Sequence, residues 1–294
     1  PFFGIKKVLT PYFIIKTEKD CLCDPFFFYI CICKHIKVMK ENQSTFPTEE
    51  VSLPSKGLIY PTDNPLSKGV VEMKYMTAKE EDILTNEAYI KTGTVIDRLL
   101  KSLIMTPINY GDLIIGDKNA LLIAARVLGY GKDYSVKFNS NNGEEITHTI
   151  DLTELEDKEL EKDHLLKSNH NEFSFTLPVL KKEITFKLLT HDDEKKVESE
   201  LKGLKKAKAE YGELSTRLKH IIQSIDGSYD SKSIRDFVSN QLLARDSRAF
   251  REYVRKVQPD VNLTFDYEDE FTGEIKRGVN VPLNLTFLWP DFTV

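Results

Sequence analysis

Residues 70–76, Val70-Val71-Glu72-Met73-Lys74-Tyr75-Met76, alternate well enough to predict a half-buried strand. Thr77 follows, with Glu80 three positions on. That is a reciprocal N-cap pattern, and it starts a helix near Ala78. Apolar residues then recur at helical spacing. Val95, Ile96, Leu99, Leu100 and Leu103 predict a helix over 92–104 that ends before Pro107. Leu121, Leu122, Ala125 and Leu128 predict another over 117–128, closed by Gly129 and Gly131. The period then returns to two. Residues 134–138 and 146–150 flank the turn signal Asn141-Asn142-Gly143 as a first hairpin. Residues 172–177 with 184–188 make a second, and 261–265 with 279–287 a third that turns near Phe271-Thr272-Gly273.

Between the second and third hairpins, 191–225 reads close to heptad through Val197, Leu201, Leu204, Tyr211, Leu214, Leu218, Ile221 and Ile225. Gly203 and Gly212 weaken it, Asp226-Gly227-Ser228 breaks it, and Ser231 or Ser233 opens a helix to about Val257. The predicted class is α+β: helical segments, three antiparallel β-hairpins and a long helical, coiled-coil-like segment.

Two stretches obey neither period. Leu53-Pro54-Ser55-Lys56-Gly57-Leu58-Ile59-Tyr60-Pro61 is too broken by proline and glycine for a helix, and too apolar for an ordinary solvated loop. Phe287-Leu288-Trp289-Pro290-Asp291-Phe292 is its counterpart near the other end. Segments of this kind lie extended on something, either their own domain or a partner. Leu53, Pro54, Leu58, Tyr60, Pro61, Phe287, Trp289 and Pro290 are the candidate partner-binding residues. Trp289 is either an interface anchor or a cap on this chain's own core.

The chain divides accordingly into five stretches. Residues 1–38 read as an upstream-translated or disordered extension, because Met39 opens a polar stretch that looks like a natural N-terminus. A signal peptide is the alternative, but the apolar run 26–30 is short and lacks a small-residue cleavage site. Residues 39–69 form an extended arm, 70–190 an α+β domain and 191–258 the long helical segment. Residues 259–294 form a C-terminal hairpin packing on the main domain.

Charge adds little. The net −5 of 294 residues argues against a nucleic-acid binder, and no apolar run is long enough for a membrane span. Without 1–38 the charge deepens to −8, and all four cysteines (Cys21, Cys23, Cys31, Cys33) leave with that stretch. Their spacing matches no zinc ribbon.

No phosphate loop, dinucleotide loop, zinc-protease or nucleophile-elbow pattern is present, so no catalytic residue, cofactor or metal ligand is assigned. Gly129-Tyr130-Gly131 reads as helix termination, since a dinucleotide loop follows a strand. His191 with Asp192, Asp193 and Glu194 reads as the acidic first turn of a helix, not a metal site. Asp117 reads as a helix-start acceptor, and Arg126 as either buried in a salt bridge or exposed. The lysines at 202–208 alternate with glutamates as a solvated face. Arg245, Arg248, Arg251, Arg255 and Lys256, interleaved with Asp246 and Glu252, read as a polar helix ahead of a nucleic-acid surface.

Four of these pieces, in order, resemble one family. They are 53–61, then 76–84 (Met-Thr-Ala-Lys-Glu-Glu-Asp-Ile-Leu), then Asp112-Leu113-Ile114-Ile115-Gly116-Asp117-Lys118-Asn119 with 126–134, and finally 287–291. Their order and spacing across about 51–292 resemble the baseplate hub proteins of T-even-like contractile-tailed bacteriophages. Members with CxxC pairs in their hairpins differ here: the turns at 139–143 and 269–273 carry no thiol. The resemblance implies a structural or assembly component of the baseplate hub. It would act through contacts with other hub proteins, in the host cytoplasm during assembly and in the tail baseplate of the virion. An assembly chaperone absent from the mature particle, a nucleic-acid-associated module with degenerate ribbon-like hairpins, and an enzyme with an unrecognised site are the alternatives.

Overall fold

Strand β1 (Thr48–Ser52) pairs antiparallel with β2 (Val70–Lys74), from Thr48 opposite Lys74 to Ser52 opposite Val70. The computed structural model describes residues 47–139, 143, 145–158, 171–207, 212–269, 273 and 275–289, and the reading of 1–38 lies outside them. β2 lies where the alternation put it. β1 is an addition: Thr-Glu-Glu-Val-Ser carries one apolar residue, so its inward positions, Glu49 and Val51, show no hydrophobic period. Tyr75 donates its hydroxyl to Glu49 Oε1 at 2.9 Å, which gives that buried oxygen a partner.

The stretch expected to lie extended, 53–69, is a closed loop between these strands. Leu53 N–H donates to Gly69 O at 2.8 Å, and Pro65–Lys68 form a 3-10 turn capped by Asn64. Gly57 sits at φ 77°, and a Cβ there would lie 2.3 Å from the Ser67 carbonyl oxygen, so only glycine fits.

Helices α1 (Ala78–Thr85), α2 (Glu87–Thr92) and α3 (Val95–Leu103) follow. The Thr77–Glu80 capping box forms as predicted. Glu80 also receives Lys74 Nζ at 2.8 Å and Ser102 Oγ at 2.6 Å, tying α1 to β2 and α3. Burial works to raise this carboxyl, but the donors prevail and hold it down to about 2. Helix α4 (Ile115–Tyr130) is buried all round from Ala120 to Ala125 and forms the centre of the core, against β1 and α3.

The first hairpin is β3 (Asp133–Asn139) with β4 (Glu145–Asp151), in the predicted place. The second, β5 (Phe173–Thr176) with β6 (Glu183–Phe186), gains a third strand. The long helical segment is the main departure. It is cut into α5 (His191–Lys206), α6 (Glu213–Ile221), strand β7 (Ile222–Ile225), α7 (Ser231–Asp236) with a π turn over Phe237–Gln241, and α8 (Ala244–Val257). Among the described residues no heptad seam results: Val197 is buried, but Leu214 is 45% exposed. Ile225, read as a heptad position, instead faces Ile184 of β6, and Ile222 faces Phe186, where β-branched side chains pack well on a pleated face.

The third hairpin is offset from its predicted strands. β8 (Thr264–Glu268) pairs with β9 (Ile275–Asn280), and Pro282 lies beyond the pairing because it has no N–H to give. Residues 285–288, assigned in part to that strand, form a single helical turn, α9 (Leu285–Leu288), capped by Asn284. Phe287 on it meets Tyr134 edge-on at 4.9 Å. The architecture is α+β, with small antiparallel sheets arranged around helices.

Candidate functional site

The unusual loop at 53–61 is clasped from within. Asp117, in the first turn of α4, is fully buried and accepts three hydrogen bonds: Ser55 N–H at 3.0 Å, Ser55 Oγ–H at 2.7 Å and Tyr60 O–H at 2.6 Å. Asp117 therefore does not cap its own helix; it fastens a distant segment to it. The two hydroxyls are committed as acceptors too, Ser55 Oγ from Gly57 N–H at 3.2 Å and Tyr60 Oη from Ile114 N–H at 3.2 Å. Burial pushes the Asp117 carboxyl up to about 6 against the pull of its three donors, and burial beside Asp117 raises the Tyr60 hydroxyl as well.

A second polar knot joins α3, α4 and α5. Asp97 Oδ1 accepts from Lys118 Nζ at 2.9 Å and from Tyr110 O–H at 3.0 Å, and Lys195 Nζ approaches Oδ2 at 3.5 Å. His191 Nε2 stands 3.2 Å from Asp97 Oδ2, off the line a hydrogen bond needs. Burial, then the positive charge of Lys118, lowers the His191 ring against the opposing pull of Asp97. Burial works to raise Asp97 as well, but Lys118 and His191 hold it below the usual carboxylate range. His191 and Asp97 line a cavity of about 590 Å³ with Lys118, Lys195 and Arg217. Asp192, Asp193 and Glu194 do occupy the first turn of α5, where Asp193 makes a reciprocal cap with Thr190. Glu194 meets Arg217 at 2.7 Å. These charges meet one another, which makes the knot a cross-brace between helices. Among the described residues, no group of three His, Cys, Asp or Glu is placed to hold a metal ion.

The candidate partner-binding residues separate into two kinds. Leu53, Pro54, Tyr60 and Phe287 are buried in this chain's own core. Leu58, 43% exposed, and Pro61 face solvent, and Trp289 is half-buried against the core. Pro290 lies outside the described residues. The two apolar segments do not meet in one patch. The first is fixed at Asp117, whereas Phe287 packs on Tyr134, whose ring lies beside Arg126 about 13 Å further along α4. Arg126 is buried but makes no salt bridge among the described residues: it donates to Gly131 O at 3.0 Å and Asp133 O at 3.2 Å, joining the end of α4 to β3. On α8, Arg248 pairs with Glu252 at 2.9 Å and Arg251 donates to Ser247 O, as a polar helix face would.

Sequence reasoning missed Asp97 and Lys118, which carry no local motif, and misjudged Asp117, whose partners are 57 and 62 residues away. The one available hint was two hydroxyl side chains, Ser55 and Tyr60, in an otherwise apolar stretch.

The family model described as T4 bacteriophage base plate protein matches residues 50–276, well over half of the chain. The chain belongs to that family. The match runs from β1 to β9 and so takes in both the Asp117 clasp and the Asp97 cross-brace of this baseplate protein. Curated proteins give no match, and neither do solved structures. Family membership makes this a structural protein of a bacteriophage baseplate, in the virion tail and in contact with other baseplate proteins. Among the described residues no helix is long and apolar enough to cross a membrane.

Proposed function

We propose that this baseplate protein belongs to the hub, where it acts as a structural or assembly component by docking onto neighbouring hub proteins and carries no reaction of its own. The observation that supports this reading is the clasp. Three hydrogen bonds to a buried carboxylate hold 53–61 rigid, and the loop presents Leu58 and Pro61 outward. A pre-ordered apolar contact loses little conformational freedom on docking, so more of the roughly 25 cal/mol per Å² from burying it appears as affinity. Trp289 provides a second contact, at the far end of α4, and Pro290 continues it in sequence.

Co-expression with the other hub proteins of the same phage, followed by pull-down and sizing, tests the reading. A stoichiometric complex supports it, and a monomer that ignores every hub protein overturns it. A mass-spectrometric inventory of purified particles then separates a resident subunit from a chaperone, which would be missing.

A further inference from the structure

The two hairpins β3–β4 and β8–β9 stack on each other through aromatic rings. Phe138 meets Phe265 at 5.9 Å and Tyr267 at 5.2 Å, and His148 stacks on Phe265 at 5.6 Å. The ladder of the first hairpin decides which backbone groups point outward. Leu152 N–H donates to Lys132 O at 2.9 Å, so with the observed register Tyr134–Ile150, Val136–His148 and Phe138–Ile146 are the hydrogen-bonded pairs. The residues between them turn their N–H and C=O groups away from the ladder.

On β3 those outward groups are partly taken. Arg126 donates to Asp133 O and Lys276 to Asn139 O. On β4 the outward positions are Glu145, Thr147, Thr149 and Asp151, and among the described residues no backbone hydrogen bond covers them. Of the usual guards of a sheet edge, proline, lysine and a bulge are absent from this one, and the charges it carries, Glu145 and Asp151, are acidic. Glu145, Thr147 and Thr149 are exposed.

The same edge rims a cleft of about 400 Å³ whose opposite wall is β8. Asn262 N–H donates to Glu156 O at 2.8 Å and ties the two walls together where the chain passes between them. The charged groups of the lining are all carboxylates: Asp151, Glu154, Glu156 and Asp266. Asp151 is neutralised by Lys132 at 2.6 Å, and Asp266 accepts Gly278 N–H at 2.8 Å. Glu154 and Glu156 are exposed, and no ion pair reaches them among the described residues.

We infer that the free edge of β4 accepts an extended, lysine- or arginine-rich segment of a neighbouring protein as an added strand, its cations facing Glu154 and Glu156. Backbone pairing supplies the docking, and the carboxylates choose the occupant. The inference deepens the assembly reading and rests on it only for the existence of a partner.

The test uses the purified full chain and a labelled, end-blocked octapeptide alternating lysine and valine, followed by fluorescence anisotropy. The alternating glutamate–valine peptide is the control. The lysine probe binds, weakens with added salt, and loses affinity by about tenfold or more with Glu154→Lys plus Glu156→Lys. Thr149→Pro has a similar effect, because it removes an outward N–H and leaves the β3 ladder intact. A lysine probe N-methylated on alternate residues, applied to the unaltered protein, fails to bind in at least one of the two phases of methylation. Absence of binding by the lysine probe overturns the proposal. So does binding that ignores both the charge reversals and the methylation, or equal binding of the glutamate probe. Because the readout needs no hub protein, failure here leaves a hub complex standing, and loss of the hub complex leaves the probe result standing.

Discussion

The loop at 53–61 and the edge of β4 are opposite solutions to exposing an irregular or unpaired piece of chain. In the loop, Ser55, Tyr60 and Gly57 give their polar hydrogens to acceptors inside the protein, and Leu53, Pro54 and Ile59 beside them are buried. Along β4, alternate backbone groups have no backbone partner, and two exposed carboxylates in the cleft beside it have no ion pair among the described residues. A closed region is costly to perturb and transmits its shape; an open one is cheap to perturb and available to a partner. The contrast separates stability from binding: substitutions at the clasp cost stability, and those at the open edge cost association.

The largest expected effect is at the clasp. Asp117→Ala strands three donors in a buried site and costs about 3–5 kcal/mol in chemical denaturation. Next, Gly57→Ala forces a Cβ against the Ser67 carbonyl at positive φ and costs about 2–3 kcal/mol by the same measurement. Tyr60→Phe removes one donor to the carboxylate, keeps the ring, and costs about 1–2 kcal/mol. At the open edge, Glu154→Ala changes stability by less than about 0.5 kcal/mol. Equal costs at Asp117 and Glu154 would erase the distinction.

Acidity sharpens it further. The folded Asp117 carboxyl is raised to about 6 from 3.8, so its contribution to stability is fully present below 3.8 and is lost as pH rises through 6. Asp117→Asn lacks that titration. The stability gap between the two proteins therefore narrows from pH 4 to 7 in parallel denaturation curves. Carboxyls held low, such as Glu80 at about 2, act in the opposite sense and lose stability only in strong acid, but they cancel in this difference.

Much of the fold was legible because its signals are local. The Thr77–Glu80 cap, the helical spacing of apolar residues in α4 and the alternation of β3 and β4 each lie within a few residues. What escaped depends on distant neighbours. β1 exists because β2 offers a partner, although four of its five residues are polar. β7 was hidden because Ile225 continues the heptad spacing of Leu218 and Ile221 as well as it fits a strand, and β6 decides between the two. Of the site, the apolar stretch was visible, but its attachment was not. Nothing near Asp117 in the sequence shows that its helix receives the loop between β1 and β2.

The most direct measurement is co-expression of the hub proteins with the unaltered chain and with Leu58→Asp plus Trp289→Ala, followed by sizing and far-UV circular dichroism. The account predicts a stoichiometric complex for the unaltered chain, its loss in the double variant, and identical helix content in both. A double variant that still forms the complex, or one that loses its helices along with it, would contradict the claim that these residues serve a partner.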